Sequence, residues 1–288
     1  MTVLSVHSHK GGVGKSTFVL FFARYLAQVK KQKTCLIDLD FHAQGLRSTY
    51  LRKYLTYDCF DLLLADEDKK PDIIDRMPVK HEEIDGLYFI ANFFKPQMDI
   101  QDQGANKRKM FLKLASEVFT GEITDNLDLL IRYLEKKGFQ WVIIDCHPGL
   151  VMLSDEVIKR IKAHPVFVTT ANIISFIGLF QNILARMKDW QLELSGLNII
   201  INRVPDNFDL EKALHRFLDS RDAADDEKLV CSEIMKKLIN QKDFELMVVR
   251  ENEKIRDMDS LINPRTLLSM DLPADLEGAV KRLSQRLL

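Results

Sequence analysis

The chain has 288 residues, 46% of them hydrophobic, and a formal net charge of -1. That length suffices for one large α/β domain or two small ones, and the balanced charge excludes a strong global pull toward nucleic acid or anionic membrane. Four scattered cysteines (Cys35, Cys59, Cys146 and Cys231) with no Cys-x-x-Cys pair exclude a disulfide framework and a zinc or iron–sulfur signature.

The first apolar run, Val3-Leu4-Ser5-Val6, predicts a strand near 2–7 that begins with no basic-then-apolar leader before it. His9-Lys10-Gly11-Gly12-Val13-Gly14-Lys15-Ser16-Thr17 follows, and then Phe18 to Ala23, which predicts a buried helix near 15–30. Strand, glycine-rich turn, Lys-Ser and helix make the layout of a phosphate-binding loop, so the expected ligand is a nucleoside triphosphate with Mg²⁺. Gly11, Gly12 and Gly14 lack Cβ, so the backbone from Gly11 through Val13 to Gly14 wraps closely and turns its N–H groups inward. The helix start adds its own orphan N–H groups and the positive end of its dipole. Lys15 reaches the β- and γ-phosphates as a point charge, the Ser16 hydroxyl ligates Mg²⁺, and Thr17 contacts the α-phosphate.

A second strand is expected near 33–38, where Thr34-Cys35-Leu36-Ile37 runs into Asp38-Leu39-Asp40. Carboxylates spaced i, i+2 share a strand face and point at the loop beyond the carboxyl end. Phe41-His42-Ala43-Gln44-Gly45 follows, with His42 read as a solvent-exposed loop residue, and then a helix near 46–54. The stretch from Lys70 to Lys113 reads as an addition to the core. It contains a strand near 86–91 and a helix candidate at Lys107-Arg108-Lys109-Met110-Phe111.

After a helix near 122–137, Trp141-Val142-Ile143-Ile144-Asp145 has the Walker B pattern, a buried strand delivering a carboxylate to the Mg²⁺ shell. Cys146-His147-Pro148-Gly149 then reads as a turn; Cys146 beside His147 suggests a nucleophile, but nothing in the sequence supplies a third orienting group. Helices are expected near 151–163 and 173–190, and strands near 165–170 and 197–202. Leu197 to Ile201 ends in Asn202-Arg203. A second addition, Phe208 to Lys242, holds helices near 208–219 and 228–240 around an acidic loop, and a late strand is expected near 244–249. Both additions, near 70–113 and 208–242, read as peripheral helices over one domain spanning 1–288.

A closing helix near 274–287 carries Leu276, Ala279, Val280, Leu283 and Leu287 at helical spacing, with Lys281, Arg282 and Arg286 elsewhere. It suits either a core-closing element or a basic amphipathic helix on anionic lipid, and the first reading is preferred. The strands are apolar without alternation, as central parallel strands buried on both faces are. The expected fold is a doubly wound, mostly parallel sheet with helices on both faces and ligand sites at the carboxyl ends of its strands.

The loop Lys10-Gly11-Gly12-Val13-Gly14-Lys15-Ser16 resembles that of the deviant Walker A family, the ParA/MinD group of ATPases. The resemblance extends over the Asp38-x-Asp40, Asp145 and Asn202 motifs, from the first strand to at least Val204. It implies an ATPase that dimerises with ATP. Lys10 would cross the dimer interface to the partner's phosphates, a cation arriving in trans like an arginine finger, which is worth ~10³–10⁵ in rate. Asp40 would orient the attacking water and Asp38 would support the metal shell. Gly149 would sense the γ-phosphate through its N–H, Asn202 would read the adenine edge, and Arg203 would cover the base or sit at the dimer surface. The chain departs from the family where Phe41 and His42 follow the second carboxylate and where Cys146-His147 follows Asp145, so neither Gln44 nor His147 takes a family role by position.

Relatives with this loop segregate DNA, position division sites or flagella, carry iron–sulfur clusters, or phosphorylate tyrosines. Paired cysteines and a tyrosine-rich tail are both lacking here. From Arg250 onward, seven Lys/Arg balance seven Asp/Glu, which leaves no evident phosphate-binding patch for DNA. The preferred reading is a cytoplasmic, homodimerising ATP switch with a protein activator or adaptor, slow until stimulated. A slow-turnover nucleotide-bound scaffold and a metabolic ligase resembling dethiobiotin synthetase are the alternatives.

Overall fold

Eight strands are formed among the described residues: β1 Thr2–Ser8, β2 Thr34–Asp38, β3 Val79–Lys80, β4 Leu87–Ile90, β5 Trp141–Asp145, β6 His164–Thr170, β7 Asn198–Val204 and β8 Glu245–Arg250. The computed structural model describes residues 1–40, 56–90, 118–149, 152–219, 245–251 and 273–287, with scattered positions from 228 to 236. The strands make one sheet in the order β3-β4-β2-β5-β1-β6-β7-β8. Every pairing is parallel except β3 with β4. Chain order runs from β1 toward one edge, returns to insert β5 beside β1, and then proceeds to the other edge. The connections leave β1 and β5 in opposite directions, which opens the crevice where doubly wound sheets bind ligands.

Successive residues of each central strand serve opposite faces. Leu36, Ile143, Val166, Val168 and Ile200 face one core with helix α1, Lys15–Arg24. Cys35, Ile37, Val142 and Ile144 face a second core, and Phe167, Ile199 and Ile201 a third. Helix α1 buries six consecutive apolar residues, Phe18 to Ala23, because the sheet covers one side and the closing helix abuts the other. Its continuation, Tyr25–Val29, is a π-turn in which the Lys30 N–H reaches back to the Tyr25 carbonyl at 3.1 Å.

Helices α2 Cys59–Leu64, α3 Lys70–Arg76, α4 Val118–Lys136 and α5 Met152–Lys159 line the second core. Helices α6 Ile173–Trp190 and α7 Leu210–Leu218 line the third, together with Cys231 and Ile234. The closing helix α8, Ala274–Leu287, sends Leu276, Ala279, Val280 and Leu283 into the α1 core. Its apolar stripe is therefore spent on packing and not offered to lipid, at roughly 1.5–3 kcal/mol for each large side chain buried. Among the described residues no helix is long and apolar enough to cross a membrane.

The stretch expected as an addition from Lys70 is not peripheral in its described part. Ile73, Ile74 and Met77 are buried in the second core, and β3 and β4 are strands of the main sheet. Of the second addition, α7 buries Leu214, and Cys231 and Ile234 pack beside it. The helix expected near 46–54, the candidate at 107–111, the loop residues His42 and Gln44, and the acidic loop 221–227 lie outside the described residues.

Candidate functional site

The carboxyl ends of β1, β2, β5 and β7 converge on one loop. Asp38 is paired in register with Asp145, and Asp145 with Val6. Beyond the strands the ladder continues: the Leu39 N–H donates to the Asp145 carbonyl at 2.9 Å and the Cys146 N–H to the Val6 carbonyl at 3.1 Å. Between β1 and α1 the chain turns through Gly12 (φ 75°) and Gly14 (φ 85°), both left-handed. Gly14 occupies the N-cap of α1, so no side chain covers the first-turn N–H groups, and that turn carries no acidic residue. Such an end favours an anion.

Lys15 turns inward. Only 5% of its side chain is exposed, and its Nζ donates to Asp145 Oδ1, a carboxylate 1% exposed. Burial alone depresses a lysine, but the Asp145 carboxylate beside it outweighs that and holds the amine above its ordinary pKa. Burial, and then the charge of Asp145, push the Asp38 carboxyl well above the usual carboxylate range, although the Asp40 N–H supports it at 2.9 Å. Two buried carboxylates thus share one lysine. With the Ser16 hydroxyl at the head of α1, this oxygen-rich surplus of negative charge fits a hard divalent cation, which takes few protein carboxylates and completes its shell from phosphate and water.

A family model described as an AAA domain matches residues 1–195. No curated protein matches significantly. Among solved structures, the MinC:MinD cell division complex of Aquifex aeolicus aligns at TM-score 0.60 and 17% identity, over 99% of this chain and 96% of that one. A putative plasmid partition protein of Borrelia burgdorferi B31 bound to AMPPNP aligns at TM-score 0.60 and 17% identity, over 100% and 99%. A ParA family ATPase of Chlorobium tepidum aligns at TM-score 0.59 and 16% identity, over 99% and 98%. The chain belongs to this AAA-domain family and is a ParA/MinD-type P-loop NTPase.

In this P-loop NTPase the two loop lysines diverge. Lys10 is exposed, and its Nζ donates to Ser175 Oγ at 3.3 Å, on the first turn of α6. Ser175 is held there by the helix cap: its N–H and hydroxyl reach Asn172 Oδ1 at 3.1 and 3.3 Å. His9 lies along the same helix, its Nδ1 3.4 Å from Asn182 Nδ2, and a Cβ on Gly178 would stand 3.4 Å from its Nε2. Helix α6 thus supports the loop's leading segment, while β5 receives its trailing lysine.

Thr17 is buried at the loop base, and Gly11 faces Pro148 of the β5 loop. The Gly149 N–H donates to the Ser8 carbonyl at 2.8 Å, and that bond has to open before the N–H can face a phosphate. Asn202 Nδ2 donates to the Val13 carbonyl at 2.9 Å, bracing the loop from below. Arg203 follows with φ 56° inside a bulge between Ile201 and Val204, the kind of irregularity that re-aims neighbouring side chains.

Cys146 is buried, and burial pushes its thiol up; His7 Nε2 lies 3.9 Å from its Sγ. His7 itself is lowered to about 3 by burial and then by Lys15. A protonated thiol beside a neutral imidazole makes no nucleophilic pair. Sequence reasoning missed Ser175, Asn172, His7 and the approach of His147 to Asp40. The Asn172-x-x-Ser175 spacing ahead of an apolar run was a readable cap signal; the others join distant segments and carried none.

Proposed function

We propose that this protein is an ATP-dependent dimerisation switch that hydrolyses ATP slowly until a macromolecular partner stimulates it. The divergence of Lys10 and Lys15 carries this reading. Lys15 serves the chain's own nucleotide. Lys10 stands exposed on the other side of the loop, available to the phosphates of a second copy, where a cation stabilises charge on the transferred phosphoryl group. Mg²⁺ would be held by Ser16 and Asp145 with Asp38 behind, and it would neutralise the β- and γ-oxygens. Asp40 orients water for attack on the γ-phosphorus. As the water oxygen bonds to phosphorus, the bond to the β,γ-bridging oxygen breaks, ADP leaves with the electron pair, and the water proton passes to Asp40 or to phosphate.

The work of the switch is partitioning or positioning of DNA or a protein complex in the cytoplasm, in keeping with the MinC:MinD complex and the plasmid partition protein that share its fold. The test is mass measurement in solution with Mg²⁺ and a non-hydrolysable ATP analogue. The parent chain is expected to dimerise with the analogue alone. Lys10→Ala should bind the analogue and stay monomeric, whereas Lys15→Ala should not bind it. A Lys10→Ala dimer as strong as the parent's refutes the trans role.

A further inference from the structure

We propose that His147 is a positioning residue for hydrolysis, holding the Asp40 carboxylate in the orientation that presents its second oxygen to the attacking water. The inference rests on the reading of Asp40 as the water-orienting group and names the residue through which the β5 loop controls it. Asp40 lies two residues past β2 and His147 two past β5, and these strands are neighbours. His147 Nε2 stands 4.0 Å from Asp40 Oδ1, with the two side chains 22% and 5% exposed. That is about 1 Å longer than a hydrogen bond, a gap that a small ring rotation closes.

Both partners are held by backbone. The Asp40 N–H is bonded to Asp38 Oδ1 at 2.9 Å. His147 lies between the Cys146 N–H, bonded to the Val6 carbonyl, and the Gly149 N–H, bonded to the Ser8 carbonyl. Pro148 restricts the turn further and faces Gly11 of the phosphate-binding loop. Any shift of that loop or of β1 is therefore passed to the imidazole. Lys15 also acts on Asp40 through space, but its amine is committed to Asp145. A carboxylate has two oxygens, so one can accept from the Nε2–H tautomer while the other addresses water.

The test is single-turnover ATP hydrolysis with Mg²⁺, alongside fluorescent-ATP affinity and thermal melting of the same samples. A hydrogen bond to a charged group is worth roughly ten- to a hundredfold. His147→Ala should slow hydrolysis by about that factor with affinity and melting unchanged, and His147→Gln, whose amide reaches the Nε2 position, should restore most of it. In an Asp40→Ala background, His147→Ala should change nothing further. The inference is overturned if His147→Ala hydrolyses at the parent rate, if glutamine is no better than alanine, if affinity falls and the rate does not, or if the two substitutions multiply. Should Asp40→Ala itself match the parent, the reading of Asp40 fails whatever His147 does; a slow Asp40→Ala with an unaffected His147→Ala sinks only the role of His147.

Discussion

Replacing Gly14 by alanine should destabilise the nucleotide-free protein by an amount that can be worked out in two parts. Gly14 has φ 85° and ψ 19°, and a left-handed conformation costs a residue with Cβ roughly 1–2 kcal/mol. The new Cβ would lie 2.2 Å from Asn202 Nδ2, so the amide must swing away. That breaks its 2.9 Å bond to the Val13 carbonyl, a loss of about 0.5–1.5 kcal/mol. The sum is about 1.5–3.5 kcal/mol, or roughly 2–6 °C in Tm for a chain of 288 residues. Urea melts of Gly14→Ala, Asn202→Ala and the double variant separate the parts. The Asn202 bond can be lost only once, so the double variant should be no less stable than Gly14→Ala. Strict additivity, or a Gly14→Ala protein as stable as the parent, would refute this account of the loop's underside.

Lys15→Met leaves Asp38 and Asp145 buried without their cation and should cost about 3–5 kcal/mol in addition to nucleotide binding; adding Asp145→Asn should recover much of the stability, and a melt unchanged by Lys15→Met would contradict the buried pair. His7 takes a proton near 6.5 when unfolded but only at about 3 in the fold, so the unfolded state gains protons first and stability is lost as pH falls through that window. The contribution at pH 5 is about 2 kcal/mol, and His7→Gln should flatten the difference between urea curves at pH 7 and pH 5. Leu283→Ala should cost about 2–5 kcal/mol; a negligible cost would mean that α8 does not belong to the core.

The nucleotide motifs were legible because each is local. An apolar run ending in Asp38, Asp145 or Asn202 announces a strand and the polar residue near its carboxyl end together, and Lys10 to Ser16 announces the loop. The limits of α6 and α8 match those expected because each carries a sustained apolar face at helical spacing. Strand β3 has two residues and no period to read; only antiparallel pairing with β4 makes it a strand. Helix α3 was folded into a supposed addition although Pro71 near its start was a helix signal. The contacts of Lys10 with Ser175 and of Asn202 with Val13 span 165 and 189 positions, and no window of sequence holds both partners.

The salt link between α1 and β5 means that an incoming phosphate finds its lysine already engaged. Whatever captures that amine must out-compete a carboxylate, and the displaced carboxylate then needs a new counter-charge of its own. Loading of the site is thus an exchange of partners, in which anion and divalent cation favour each other's arrival and either one alone gains little.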